Sequence, residues 1–336
     1  MIRQALKKAV EGFDLTRGEA RSAMETIMNG EATDAQIGGF LVAMRLKGET
    51  VEEIASFARV MREKATRIDV GDDDVLDTCG TGGDGARTFN ISTAAAFVAA
   101  GAGVRVAKHG NRSVSSSCGS ADVLATMGVK IDIPPERVSE CIRLTGIGFL
   151  FAPLLHASMK HAIGPRRELA IRTFFNILGP MTNPAGAKRQ LLGVYSEALV
   201  EIVAGVLADL GSVRAYVVHG EDGLDELSTT GGTKVAEIDR GTIRTYRVIP
   251  DDFGISRVNP VELAGGDAEL NAKLLTGVLE GEKGPRRDIV LLNAAFAIAA
   301  GGRASSPQEG FALAVESLDS GAAMDVYRRM REFTLS

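Results

Sequence analysis

The 336-residue chain contains no tryptophan and only 5% aromatic residues, too few to build the stacking platforms on which nucleic-acid bases are held. A formal net charge of −5 likewise argues against a general nucleic-acid binder. Cysteine is scarce. Cys79, Cys118 and Cys141 have neither metal-ligand spacing nor the even count of a disulfide framework, which is the usage of a reducing compartment. Cys79 and Cys118, although near glycine loops, read as small buried residues. No apolar run approaches membrane-spanning length, and Met1 to Lys8 is amphipathic without a secretory hydrophobic region. The expectation is a cytoplasmic protein with neither membrane nor nucleic acid as partner. What is present, 45% hydrophobic residues, is enough for two domains or one large domain with an appendage.

The most informative stretch is Asp77-Thr78-Cys79-Gly80-Thr81-Gly82-Gly83-Asp84-Gly85, followed by Asn90-Ile91-Ser92-Thr93. Val75-Leu76 before it is strand-like, and the alanine-rich run Ala94 to Ala100 after it favours helix. Clustered glycines let the backbone take positive φ and present N–H groups. The following helix opens with unpaired donors and a partial positive charge. Ser92 and Thr93 add hydroxyls and Asn90 an amide, so the stretch suits a phosphate or pyrophosphate. It has neither the Gly-x-x-x-x-Gly-Lys-Ser/Thr nor the Gly-x-Gly-x-x-Gly spacing, which removes the usual support for nucleotide hydrolysis and nicotinamide binding. Asp84 within the loop would orient donors or reach a metal-bound water.

Residues before this loop read as helix only. Thr16-x-x-Glu19, Thr33-x-x-Gln36 and Thr50-x-x-Glu53 have capping-box form. Ile37, Phe40, Leu41 and Met44, then Ile54, Phe57, Ala58 and Met61, each fall on one helical face. From Val75 to Val194 strand-like pieces alternate with helical ones: Val104 to Ala107, Val129 to Ile133, Phe149 to Phe151 and Leu191 to Val194. This alternation predicts an α/β fold with a mainly parallel sheet covered by helices, and ligands outside the carboxyl ends of its strands. Thr233 to Ile238 and Thr242 to Val248 read as paired strands, and most of the remainder as helical scaffold.

Three further blocks carry chemistry. Lys108-His109-Gly110-Asn111-Arg112-Ser113-Val114-Ser115-Ser116 precedes Gly119-Ser120-Ala121-Asp122. Cations concentrated here in an acidic protein point to an anionic ligand, while His109 reads equally as a hydrogen-bonded neutral residue or a ligand contact. His156, His161 and Arg166-Arg167 form the next block. In the last, Asp225-Glu226 follows the strand-like Ala215 to Val218. Adjacent carboxylates on such a loop are ordinarily solvated, but beside a pyrophosphate they would suit Mg²⁺, which takes one or two carboxylates plus substrate oxygens and water.

These blocks, with Arg172-Thr173-x-Phe175-Asn176-x-Leu178-Gly179-Pro180-x-Thr182-Asn183-Pro184, together resemble the anthranilate phosphoribosyltransferase family of tryptophan biosynthesis, over essentially the whole chain. The resemblance implies transfer of the phosphoribosyl group from phosphoribosyl pyrophosphate (PRPP) to the anthranilate amine. It implies a small helical domain (residues 1–70, joined by helices from about 155–188) and a larger α/β domain (71–336) carrying the PRPP site, with the active site in the cleft between them. PRPP would be held by Gly80, Gly83, Asp84, Thr88, Asn90, Ile91, Ser92, Thr93, Lys108, His109, Gly110, Asn111, Arg112, Ser113, Val114, Ser115, Ser116 and Ser120. Anthranilate would meet Gly80, Asn111, Arg166, His109 and His156; Gly80, lacking a side chain, would let it approach the backbone. Ser92, Asp225 and Glu226 would bind Mg²⁺, two ions per subunit, and the protein would be a homodimer through the helical domain. Ala157, Ala170 and Gly232 depart from the family pattern without replacing a polar ligand. No covalent nucleophile is called for. A pyrimidine nucleoside phosphorylase and a non-catalytic nucleic-acid-binding relative are the alternative readings; the Lys108 to Ser116 run and the Asp225-Glu226 pair argue against the first, net acidity and intact substrate motifs against the second.

Overall fold

The computed structural model describes residues 2–71, 74–113 and 118–336. Four helices come first: α1 (Ile2–Val10), α2 (Arg17–Met28), α3 (Asp34–Lys47) and α4 (Val51–Lys64). Thr16, Thr33 and Thr50 cap α2, α3 and α4, each accepting from the third helical N–H while Glu19, Gln36 and Glu53 return to the cap backbone. Glu53 does more than cap. Fully buried, it also accepts from Leu15 N at 2.7 Å and Lys47 Nζ at 2.9 Å, which ties α4 to the α1–α2 link and the end of α3. The apolar faces of α3 and α4 are buried as their spacing predicts.

The chain then alternates through β1 (Leu76–Gly80), α5 (Ile91–Gly101), β2 (Val106–Gly110), α6 (Ser120–Thr126), α7 (Pro135–Thr145) and β3 (Ile147–Phe151). Short helices α8 (Ala152–Leu155), α9 (Lys160–Leu169) and α10 (Phe175–Leu178) lead to β4 (Arg189–Gly193), α11 (Leu199–Asp209), β5 (Arg214–Gly220), β6 (Thr233–Asp239) and β7 (Thr242–Val248). Helices α12 (Ala268–Leu279), α13 (Pro285–Ala300), α14 (Pro307–Asp319) and α15 (Ala322–Leu335) complete it. One seven-stranded sheet has the order β3-β2-β1-β4-β5-β6-β7, parallel from β3 to β5 and antiparallel at the β6–β7 edge.

The segment Val129 to Ile133, expected as a strand, is irregular. Val129 and Ile131 are buried and Lys130 and Asp132 exposed, so alternation is present without a ladder. Val129 N donates to Leu124 O and Lys130 N to Thr334 Oγ1, partners supplied by helices. Period-two burial reports one covered side, not strand pairing.

Helices α9 and α10 pack against the first four. Phe174 stacks on Phe57 with centroids 4.5 Å apart and meets Phe40 edge-on at 6.1 Å. The same apolar cluster continues through Val203 and Leu207 of α11 to Val217 on the sheet, and α5, α13 and α15 cover the other face. From the adjacent central strands β1 and β4 the chain winds outward in opposite directions. The loops after β1 and β4 therefore diverge, opening the crevice in which ligands of such sheets bind.

Candidate active site

Gly80 is the last residue of β1, in register with Gly193 at the end of β4. Beyond it Gly82, Gly83 and Gly85 have φ of 65°, 77° and 76°, the left-handed backbone for which glycine is needed. Thr81 stitches the diverging loops: its N–H donates to Gly193 O at 2.9 Å and its Oγ1 accepts from Tyr195 N at 3.0 Å. Arg172 donates to Gly83 O and lies 4.1 Å over the Tyr195 ring, while Arg45 Nη1 donates to Arg172 O at 2.6 Å. At the far end Thr88 bridges Ala264.

No side chain caps α5; Ile91 N donates to Phe89 O at 2.8 Å and Thr93 N to Asn90 O at 3.2 Å. The Asn90 side chain is engaged elsewhere, donating to Cys118 O at 3.3 Å and accepting from Asn271 Nδ2 at 3.1 Å. Ile91 is buried in the core. Thr93 is 1% exposed, and its hydroxyl has no partner among the described residues. It lines a small internal void with Phe97, Leu124 and Phe149, so this side chain faces the core and not the loop.

Asp225 and Glu226 lie beyond β5 on a turn held by buried Asn293, which accepts from Leu227 N at 3.0 Å and donates back to Leu227 O at 2.9 Å. Asp225 Oδ2 accepts from Gly82 N at 2.7 Å. A Cβ on Gly80 would overlap the Asp225 carboxylate, and one on Gly193 would overlap the Asp225 carbonyl. The space a side chain at Gly80 would need is thus occupied by Asp225. Burial raises both carboxyl pKa values. The charge of Asp84 raises Asp225 further and that of Asp225 raises Glu226, while Lys108 and the Ser92 hydroxyl draw Glu226 down.

Lys108 is 3% exposed, and its ammonium reaches Thr78 O at 2.5 Å and Ser92 Oγ at 3.4 Å. Burial lowers its pKa against the pull of Asp77. Ser92, Lys108, Asp225 and Glu226 therefore lie together, with Lys108 and both carboxylates largely out of water. Two desolvated carboxylates and a hydroxyl against one ammonium are a hard oxygen set short of positive charge, which fits Mg²⁺. Among the described residues no group of three or more His, Cys, Asp or Glu could enclose a metal. The remaining positions would fall to substrate oxygens and water.

Sequence reasoning passed over Asp77, Asn183 and Asp122. Asp77 is wholly buried, accepts from His109 N at 3.0 Å and from Asn183 Nδ2 at 2.8 Å, and has its carboxyl pushed up to about 6 by burial. Asn183 Nδ2 also donates to Ala107 O at 2.8 Å. Together they fix the end of β2, and with it Lys108 and His109. A lone carboxylate inside an apolar strand was the available signal. Asp122 accepts from Ser113 N and Gly119 N, both at 3.0 Å, and pairs with Arg112 at 2.9 Å, so it closes the loop leading to Ser120. Gly110 is hemmed in by Ser120 and Phe149. Val114, Ser115 and Ser116 lie outside the described residues.

The His109 and His156 rings are 5.1 Å apart, both buried, each with Nε2 unpartnered among the described residues. Burial pushes their pKa values down to about 3 and about 4, which keeps both neutral. Asn111 is exposed, its Oδ1 accepting from Arg112 N at 2.7 Å. Arg166 is half-buried with its guanidinium 5.0 Å over Phe175, and no carboxylate among the described residues pairs with it. His161 packs against Gly30 at the end of α2.

A helical bundle followed by an α/β domain is the plan of one glycosyl transferase family. The family's helical bundle domain matches residues 3–65 and its a/b domain residues 72–324. The anthranilate phosphoribosyltransferase of Moorella thermoacetica is 58% identical over 96% of this chain and 95% of its own length, and that of Acetivibrio thermocellus 55% identical over 100% and 97%. Among solved structures, the Thermus thermophilus enzyme superposes with a TM-score of 0.94 at 46% identity, covering 99% of both chains. The Saccharomyces cerevisiae enzyme in complex with PRPP and Mg superposes with 0.91 at 28%, covering 99% of this chain and 98% of that one. Within that class, the chain belongs to the anthranilate phosphoribosyltransferase family.

Proposed function

We propose that this protein transfers the phosphoribosyl group of PRPP to the amine of anthranilate, giving N-(5-phosphoribosyl)anthranilate and pyrophosphate, the second step of tryptophan synthesis from chorismate. The observation that carries this is the convergence of Ser92, Lys108, Asp225 and Glu226 beside the Gly82-Gly83 loop at the sheet's switch point. PRPP lies along that loop, the start of α5 and the Lys108 to Ser120 loop. When bound, Mg²⁺ held by Ser92, Asp225 and Glu226 supplies charge to the leaving pyrophosphate, and we assign two ions per subunit.

As the bond from ribose C1 to pyrophosphate breaks and that to the amine nitrogen forms, the sugar becomes oxocarbenium-like and the leaving group strongly anionic. Lys108 and the loop N–H groups are placed in advance for that anion. The amine is already a neutral nucleophile, so this chain's task toward it is positioning. Arg166 takes the anthranilate carboxylate in a planar paired hydrogen bond, Asn111 orients the acceptor, and the neutral rings of His109 and His156 line its pocket. The acceptor enters from the cleft between the helical layer (residues 1–70 with 155–188) and the α/β domain. Support for that division is the packing of Phe174 on Phe40 and Phe57.

The homodimer assignment rests on Val10, Phe13 and Leu46, which are 70%, 60% and 81% exposed. The Lys47–Asp14 ion pair at 2.7 Å brings Phe13 and Leu46 to one end of the helical layer. Sedimentation equilibrium checks this, and a monomer would refute it. The activity is tested by mixing protein, PRPP, Mg²⁺ and anthranilate and following anthranilate fluorescence. Decay requiring all three components supports the reading, and none from folded protein overturns it.

A further inference from the structure

At the opposite end of the sheet from the carboxylate pair, a cavity of about 510 Å³ opens between the first residues of β4 and β5, the β6–β7 turn and the segment entering α14. Its charged lining is Arg189, Arg214, Arg240, Arg303, Asp239 and Glu309, none of which serves the transferase site. Arg189 is anchored by Asp74 at 2.9 Å and by Ala300 O at 3.0 Å. Arg214 is held by Ser305 O at 2.8 Å and Tyr216 Oη at 2.9 Å, with Glu237 at 3.6 Å, and its buried Nε has no partner among the described residues. Glu309 is occupied by Ser305, whose N–H and hydroxyl donate to it at 2.7 and 2.6 Å.

Arg240 and Arg303 stand apart. Both are exposed, and neither guanidinium has a hydrogen-bond or ion-pair partner among the described residues. Arg240 also sits at φ 46°, beside Gly241 at φ 86°, in a tight hairpin turn where asparagine followed by glycine is the favoured pair. An arginine held in left-handed backbone is a local cost that turn geometry does not require. Its effect is to keep a cation at the mouth of the cavity.

Arg189 and Arg214 are balanced by Asp74 and Glu237 behind the lining and Glu309 is already engaged, so the charge the cavity presents is that of the two unpartnered guanidiniums, Arg240 and Arg303, on a chain of net charge −5. Guanidinium forks match phosphate oxygens, and the volume lies in the range of small-molecule pockets. We propose that this cavity binds a small phosphorylated metabolite carrying at least two negative charges, at a site separate from the PRPP site.

The test is calorimetric titration of the full chain with fructose 1,6-bisphosphate and with inorganic phosphate, in the absence of PRPP, whose own phosphates would compete for this cavity. Wild type should bind the bisphosphate, and phosphate more weakly at the same site. The Arg240→Asn, Arg303→Gln double variant should bind at that site at least about tenfold more weakly with its transferase rate unchanged. Arg240→Asn alone installs the residue the turn favours, so it should fold at least as stably and still lose several-fold in affinity. Absence of binding of either probe to wild type overturns the proposal, as does equal affinity in wild type and the double variant. Both variants leave the transferase site intact, so the comparison stands even if the transferase reading fails.

Discussion

If Arg166 takes the acceptor carboxylate as proposed, replacing it with alanine should isolate recognition of the acceptor from everything else in the protein. The guanidinium is half-buried, lies 5.0 Å over Phe175, and has its pKa lowered by burial alone. With no carboxylate partner among the described residues, it is partly desolvated without compensation until a carboxylate arrives. A charge-assisted hydrogen bond contributes about 1.5–3 kcal/mol. Half exposure screens the fork, so the pair is taken as about 2–3 kcal/mol, a rise of roughly 30- to 150-fold in the anthranilate KM. Arg166→Lys, which keeps charge but not the planar fork, should fall between, at about tenfold. Removing an unpaired cation forfeits only the aromatic contact, about 0.5–1 kcal/mol at such a site, and relieves its desolvation, so folding stability should barely change. Initial rates from anthranilate fluorescence, with either substrate varied, and urea unfolding of the same preparations provide the readouts. An unchanged anthranilate KM, or equal rises for anthranilate and PRPP, would refute the assignment.

Glu226→Gln should lower kcat/KM for PRPP at least about 100-fold and raise the Mg²⁺ concentration needed for half-maximal rate. In metal-free buffer the same change should raise stability by about 1–2 kcal/mol, because it removes a buried carboxylate beside Asp225; calorimetry with and without Mg²⁺ checks both. Gly193→Ala would drive a methyl into the Asp225 carbonyl, so the carboxylate turn should shift and activity fall as far as in Glu226→Gln. Wild-type turnover in that variant would show that the turn tolerates displacement. For His156 the pKa is about 4 in the folded protein against 6.5 unfolded. The unfolded chain therefore binds the proton first, and stability is lost as pH falls from 6.5 towards 4. By about pH 5.5 this removes roughly 1 kcal/mol. The raised pKa of Asp77 acts in the opposite sense in this range, so the test is a difference: His156→Gln should lose about 1 kcal/mol less than wild type between neutral pH and about 5.5. Parallel pH profiles for the two proteins would exclude the effect.

Features set by neighbours along the chain were legible in the sequence. The Thr16, Thr33 and Thr50 boxes form as written, because a capping hydroxyl and its carboxyl or amide partner are three residues apart whatever surrounds them. The glycine loop and the alternation that makes a parallel sheet were readable for the same reason, since backbone freedom and side-chain period are local properties. The resemblance of the ordered motifs then pointed to the substrates. Local pattern failed at Val129 to Ile133, where alternating burial arises against helices and no neighbouring strand offers a ladder.

Only the folded arrangement decided why particular residues stand where they do. Gly82 meets Asp225 across a separation of 143 residues, and Gly80 and Gly193 are both obliged to be glycine because β1 and β4 end level beneath the same carboxylate turn. Asp77 and Asn183, 106 residues apart, meet to hold the end of β2, and a helix-start threonine, Thr93, turns its hydroxyl into the core. These outcomes follow from strand register and packing. A chain written in one dimension specifies its short-range geometry directly, but the space opposite any residue is fixed only when distant segments close over it.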